Sequence, residues 1–186
     1  NVSCNGGNDG TATLTLSGVT PPYTYSWSTS PIQTTQTVTN LIAGTYNFTI
    51  TDSNGCTYTN SVTITEPQII TATPNITNVS CFGGSDGMVA MSLSGGTGTL
   101  SENWGNANPN ALSIGTYSYT ITDANNCSLT DSVTITEPLV ISVIATTTNV
   151  LCNGDSTGTA TLFISGGTGT LSENWGNANP NALSIG

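Results

Sequence analysis

Residues 115–138 read GTYSYTITDANNCSLTDSVTITEP, and residues 44–67 read GTYNFTITDSNGCTYTNSVTITEP. Each copy reads as two β-strands joined by a turn. Tyr117, Tyr119 and Ile121 alternate with Ser and Thr, as do Tyr46, Phe48 and Ile50 in the earlier copy. Val133 and Ile135 (earlier Val62 and Ile64) then alternate with threonine. Alternation of period two is the mark of a half-buried strand, because successive side chains leave the backbone on opposite faces. The intervening DANN and DSNG are Asp/Asn/Gly turns that tolerate left-handed backbone. Each hairpin closes in Glu-Pro, where proline removes a backbone donor and ends the ladder.

Outward from these hairpins the chain resolves into three copies of one unit. Cys4, Cys81 and Cys152 open them, at offsets of 77 and 71 residues, and Cys56 and Cys127 are also 71 apart. The first copy is six residues longer, the extra length falling around residues 29–36. SGGTGTLSENWGNANPNALSIG occurs word for word at 94–115 and again at 165–186. A period near 70 is too long for a solenoid coil and suits one small domain per repeat. Boundaries after Pro67 and Pro138 divide the chain into repeats 1–67, 68–138 and 139–186, the last truncated. Because the chain opens inside one motif and stops inside another, it reads as a piece of something longer.

Within a repeat, a glycine-rich loop with its cysteine leads to a strand with Ala12, Leu14 and Leu16 inward. Val89, Met91 and Leu93, then Ala160, Leu162 and Ile164, take those positions in the later copies. After a Gly-containing turn (SGVTPP or SGGTGT), Tyr23, Tyr25 and Trp27 share one face of the next strand. Leu100, Glu102 and Trp104, or Leu171, Glu173 and Trp175, replace them later. Six or seven short strands per repeat are expected, which points to an all-β fold of tandem immunoglobulin-like β-sandwich domains.

Composition excludes much. The 186 residues contain no Lys, Arg or His, and ten Asp and Glu give a net charge of -10. Without an imidazole base, a Schiff-base lysine or an arginine clamp, most catalytic apparatus is missing. Glu102 and Glu137 are candidates for glycoside hydrolysis only by default, so no enzyme is expected. No cation is available to displace counterions from a phosphate backbone, so nucleic acid is not a partner. Anionic membrane surfaces are disfavoured for the same reason, and no apolar run approaches the roughly 20 residues of a spanning helix.

A domain this small is marginal, and cross-linking is the expected remedy. Register pairs Cys4 with Cys56 and Cys81 with Cys127, leaving Cys152 without its partner where the third copy stops. Such bridges imply an oxidising, extracytoplasmic setting. Trp27, Trp104 and Trp175 are read as core residues, with a sugar-stacking platform as the sharper alternative. Asp9 and Asp86 in the opening loops, and Asp52 and Asp123 in the hairpin turns, are turn formers first and candidate calcium ligands second. If a disulfide brought loop and turn together, Asp86 and Asp123 could share an ion. No other cofactor is expected.

C-x-G-G-x-D-G, then Tyr-Thr-Tyr-Ser-Trp, then L-x-x-G-T-Y-x-x-T-I-T-D-x-x-x-C, closing with V-T-I-T-E-P, resembles the SprB repeat of very large surface adhesins in gliding Bacteroidota. The resemblance implies an extracellular, cell-surface protein exported by the type IX secretion system. Its repeats would form an adhesive filament used in attachment and gliding, touching neighbouring repeats and the gliding machinery. Copies two and three depart from it with Leu-x-Glu-x-Trp in place of Tyr-x-Tyr-x-Trp. Asp131-Ser132-Val133 and Asp155-Ser156-Thr157 are similar to the Asp-Ser/Thr-apolar O-glycosylation signal of Bacteroidota, making Ser132 and Ser156 candidates. The expected function is a structural stalk. A multivalent array binding polysaccharide or other extracellular surfaces, or a filament self-assembling through edge strands, are the alternatives.

Overall fold

A computed structural model describes residues 1–17 and 21–184; Gly18, Val19 and Thr20 of the SGVTPP turn, and Ile185 and Gly186 of the second 22-residue copy, lie outside them. Every regular element among the described residues is a strand, and none is a helix that could cross a membrane. Two compact units are formed. Unit 1 comprises Asn1–Thr73, Met91–Asn103 and Ser118–Asp131, and unit 2 comprises Pro74–Ala90, Trp104–Tyr117 and Ser132–Gly186. Unit 1 therefore holds all of repeat 1 together with the hairpin turn of repeat 2.

Repeat 1 is a sandwich of two small sheets. One pairs β1 (Gly10–Thr13) with β3 (Thr37–Leu41), antiparallel, with Ala12 opposite Val38. The other is ordered β2-β4-β5, from Thr24–Trp27, Gly44–Thr51 and Thr57–Ile64. The hairpin pairs Gly44 with Ile64 and Thr51 with Thr57, so Tyr46, Phe48, Ile50, Val62 and Ile64 all turn to the same side, as the alternation requires. Val2, Trp27, Val38, Leu41, Phe48, Ile50 and Ile64 form the core, flanked by Leu14, Leu16, Tyr23 and Tyr25. The Trp27 ring lies 5.2 Å from that of Phe48, and its indole N–H donates to the Thr35 carbonyl at 3.0 Å. The six additional residues of the first copy thus form a loop that satisfies the one polar atom of a buried indole.

Repeat 2 uses β6 (Thr71–Thr77), β7 (Met88–Ser94), β8 (Ser101–Asn103), β9 (Gly115–Thr122) and β10 (Ser128–Ile135). β6 pairs with β7, and a second sheet runs β10-β9-β8. Tyr119, Ile121, Val133 and Ile135 are buried as their alternation predicts. The third copy contributes β11 (Ser142–Thr148) and β12 (Thr159–Ser165), fully paired antiparallel from Ser142↔Ser165 to Thr148↔Thr159.

Six or seven strands are expected per complete repeat; the described residues form five in each. Where repeat 1 has β3, repeat 2 has only the bridge Gly87↔Leu112. Pro109 replaces a ladder donor there, and the Asn108 side chain accepts from the Asn110 N–H, which curls the segment into a turn. Glu102 lies opposite Ile121 on the three-residue strand β8 and is exposed, as expected of a carboxylate at a strand end in water, while Trp104 just past that strand is buried.

Candidate functional site

The most specific constellation in the molecule lies in unit 1, where the opening loop of repeat 1 meets the hairpin turn of repeat 2. Ser3 donates to the Asp9 carboxylate through both its backbone N–H (2.9 Å) and its hydroxyl, and the Gly7 N–H donates to the Cys4 carbonyl at 3.0 Å. The loop is tied to the end of its own hairpin. The Gly6 N–H donates to Glu66 Oε2 at 2.6 Å, and Asn5 Nδ2 donates to the Pro67 carbonyl at 3.0 Å. Glu66-Pro67 is thus a strand terminator that also clamps the cysteine loop.

The hairpin turn of repeat 2 is organised by one carboxylate. Asp123 Oδ1 accepts from the Asn125 and Cys127 N–H groups at 2.8 and 2.9 Å, and Oδ2 accepts from Thr97 N–H at 2.8 Å. This Asx arrangement carries Asn126 at φ 65°, a left-handed position that asparagine tolerates. Burial pushes the Asp123 carboxyl up, but the N–H donors of Cys127, Thr97 and Asn125 outweigh it and hold the group below the usual carboxylate value. Asp9 is also lowered, by the Ser3 hydroxyl first and the Ser3 N–H second; Asp86 is lowered by the same pair from Ser80.

Between loop and turn runs a disulfide from Cys4 to Cys127, Cα–Cα 5.6 Å, spanning 123 residues. Asn125 Nδ2 donates to the Ser3 carbonyl at 2.9 Å beside it. This corrects the pairing read from register, in which Cys4 joined Cys56 and Cys81 joined Cys127. The physical reason is the length of one strand. The Cys4 loop is clamped to Glu66 and Pro67 at the far end of β5, whereas Cys56 immediately precedes the first residue of that strand. Eight residues of strand separate the two by roughly 25 Å, and a disulfide tolerates Cα atoms no more than about 7 Å apart. Cys56, Cys81 and Cys152 are exposed thiols.

One further expectation falls with the pairing. Asp86 and Asp123 were to share an ion through the Cys81–Cys127 bridge, which is not formed. Asp123 instead spends both oxygens on backbone donors, and no group of three His, Cys, Asp or Glu able to hold a metal occurs among the described residues. Asp52 reproduces the turn role of Asp123, accepting from the Asn54 and Cys56 N–H groups at 2.9 Å each. Trp27 and Trp104 are buried, at 1% and 8% exposure, so neither ring face is open for a sugar to stack on. Trp175 is half-buried and donates to Glu173 Oε2 at 2.9 Å. Ser132 and Ser156 are both exposed.

Sequence reasoning missed the clamping role of Glu66 and its counterpart Glu137, which accepts from the Gly83 N–H at 2.7 Å. The signal was present: Glu66 and Glu137 recur at the same 71-residue offset as the turn cysteines.

A family model described as the SprB repeat matches residues 1–31, 73–101 and 144–172. The three matches follow the three copies. Each includes a cysteine loop and the strand after it, and the latter two begin within β6 and β11. No curated protein and no solved structure matches the chain.

Proposed function

The chain belongs to the SprB-repeat family, repeats of a cell-surface adhesin type, and from that premise we propose that this segment is load-bearing stalk rather than adhesive tip. The observation that carries the reading is the Cys4–Cys127 bond, which joins the opening loop of one repeat to the hairpin turn of the next. Each complete repeat adds a unit of roughly 30 Å (strand rise times length plus loops). A covalent tie between consecutive repeats resists their separation under shear. The charge of -10 with no cation discourages association with other anionic surfaces, and trypsin-like proteases find no Lys or Arg to cleave after. In this reading the chain is not an enzyme, takes no cofactor, works outside the cell as part of a filament for attachment and gliding, and leaves export to the type IX machinery.

Two buried indoles favour the stalk over a polysaccharide-binding array, whose platforms would be open aromatic faces. The test is retention under flow of beads coated with the oxidised chain, on immobilised polysaccharides and on bare glass. A stalk segment releases the beads from every surface at the rate of uncoated controls. Retention on any of them, abolished by adding the soluble chain, would transfer the adhesive role to the repeats themselves.

A further inference from the structure

Asn-Gly pairs occur at residues 5–6, 54–55 and 153–154. This dipeptide carries a chemistry of its own. The glycine nitrogen attacks the asparagine side-chain carbon, so that an N–Cγ bond forms and the Cγ–Nδ2 bond breaks. Ammonia leaves with the proton that the glycine nitrogen gave up. Water then opens the succinimide at either carbonyl, leaving aspartate or isoaspartate. Glycine favours the attack because no Cβ shields its nitrogen. Asn5, Gly6, Asn54 and Gly55 are all exposed, so burial protects neither of the first two pairs.

Hydrogen bonding separates them. At the first pair both reacting groups are held. The Gly6 N–H donates to Glu66 Oε2 at 2.6 Å, and Asn5 Nδ2, the leaving group, donates to the Pro67 carbonyl at 3.0 Å. Ring closure must strip the proton from the Gly6 nitrogen and leave negative charge on an atom that faces a carboxylate. Like charges at such a separation repel strongly. Glu66 does not assist as a base, because a carboxyl is far too strong an acid to keep a proton taken from a backbone amide. At the second pair the Gly55 N–H donates to the neutral Asp52 carbonyl at 3.1 Å. The Asp52 carboxylate there is bonded to the Asn54 and Cys56 N–H groups instead. In repeat 2 the Gly83 N–H donates to Glu137 Oε2 at 2.7 Å, with Phe82 in the place of Asn5. The clamp therefore belongs to the loop, and only in repeat 1 does it fall on a reactive amide.

We propose that Glu66 guards Asn5 against deamidation, while Asn54 is an Asn-Gly site that converts in the folded chain. The guarded position is the one bonded into the joint. Isoaspartate at residue 5 would add a carbon to the backbone beside Cys4. It would also replace the Nδ2 donor to Pro67 with a carboxylate oxygen next to Glu66. Both changes would loosen the loop that carries the cross-repeat bond. The inference rests on the clamp alone and is independent of any stalk or adhesive role.

The test is to age the full oxidised chain in mildly alkaline buffer and sample it over time. Digestion before aspartate, followed by tandem mass spectrometry, locates each amide-to-acid conversion, in residues 1–8 for Asn5 and 52–85 for Asn54. Conversion at Asn5 should be slower than at Asn54 by about tenfold or more, the factor that one hydrogen bond to a charged group is worth. Glu66→Gln keeps an acceptor oxygen for the Gly6 N–H and removes only the charge, so the loop stays clamped. In that variant Asn5 should convert faster while Asn54 keeps its rate, which serves as the internal clock and excludes general unfolding. Asn5 converting as fast as Asn54 in the native chain, or at an unchanged rate in Glu66→Gln, would overturn the proposal.

Discussion

Tension applied between Asn1 and Gly186 should bypass most of this protein when the disulfide is formed. Force entering at the amino terminus reaches Cys4, crosses to Cys127 and leaves along Ser128, so residues 5–126 lie outside its path. A fully extended chain spans about 3.5 Å per residue, so the 123-residue separation hides about 430 Å of contour length. The assay is single-molecule extension of the end-tethered chain, first oxidised and then in a buffer with reductant. The contour length of the fully unfolded chain should grow by about 430 Å on reduction. The register pairing closes two smaller loops, of 52 and 46 residues, and would release only about 340 Å at the same spacing. A gain near that value, or no gain, would refute the cross-repeat bond and the mechanical role built on it. The same closure, about 120 residues long, should stabilise by about 5 kcal/mol in the chain-entropy model, the size of a small domain's whole net stability.

The close approach of Gly95 to the Ile69 backbone gives a contrast between two glycines. Gly95→Ala places a Cβ 1.8 Å from the Ile69 carbonyl oxygen at φ +81°, whereas Gly83→Ala at φ +73° meets nothing within 4 Å. Both changes cost the left-handed penalty of about 1 kcal/mol, so denaturant unfolding should show Gly95→Ala the more destabilised; equal losses would count against that close approach. Trp27→Ala should cost about 3–5 kcal/mol, the range for emptying a large buried aromatic site. A loss under 1 kcal/mol would mean that the ring is not core. Asp9, Asp86 and Asp123 are all held below the usual carboxylate value in the folded protein. The sign follows: a depressed folded value gives stability that is complete above the unfolded carboxylate value, about 3.9. That stability is lost as pH falls through the folded values. Urea midpoints should therefore be level from pH 7 to 5 and decline below pH 4; a midpoint unchanged at pH 2.5 would contradict it.

What the chain's pattern conveyed well was local. Alternation placed Phe48, Ile50, Ile64, Tyr119, Ile121, Val133 and Ile135 inside, and all are buried, because inward and outward positions follow directly from a two-residue period. The Glu-Pro ends and Asx turns were legible for the same reason, being set by a few neighbouring residues. The disulfide was not, because register between repeats says which residues are equivalent, not which lie at the same end of a sandwich. Cys4 and Cys56 recur together in sequence, yet β5 stands between them.

Digestion before aspartate under non-reducing conditions tests the cross-repeat joint most directly. Cleavage at Asp9, Asp52, Asp86, Asp123, Asp131 and Asp155 puts Cys4 in NVSCNGGN and Cys127 in DANNCSLT, with Cys56 and Cys81 together in residues 52–85. Mass spectrometry should find NVSCNGGN linked to DANNCSLT, and residues 52–85 carrying two free thiols. NVSCNGGN linked instead to residues 52–85 would contradict the joint, and with it the stalk of covalently tied repeats.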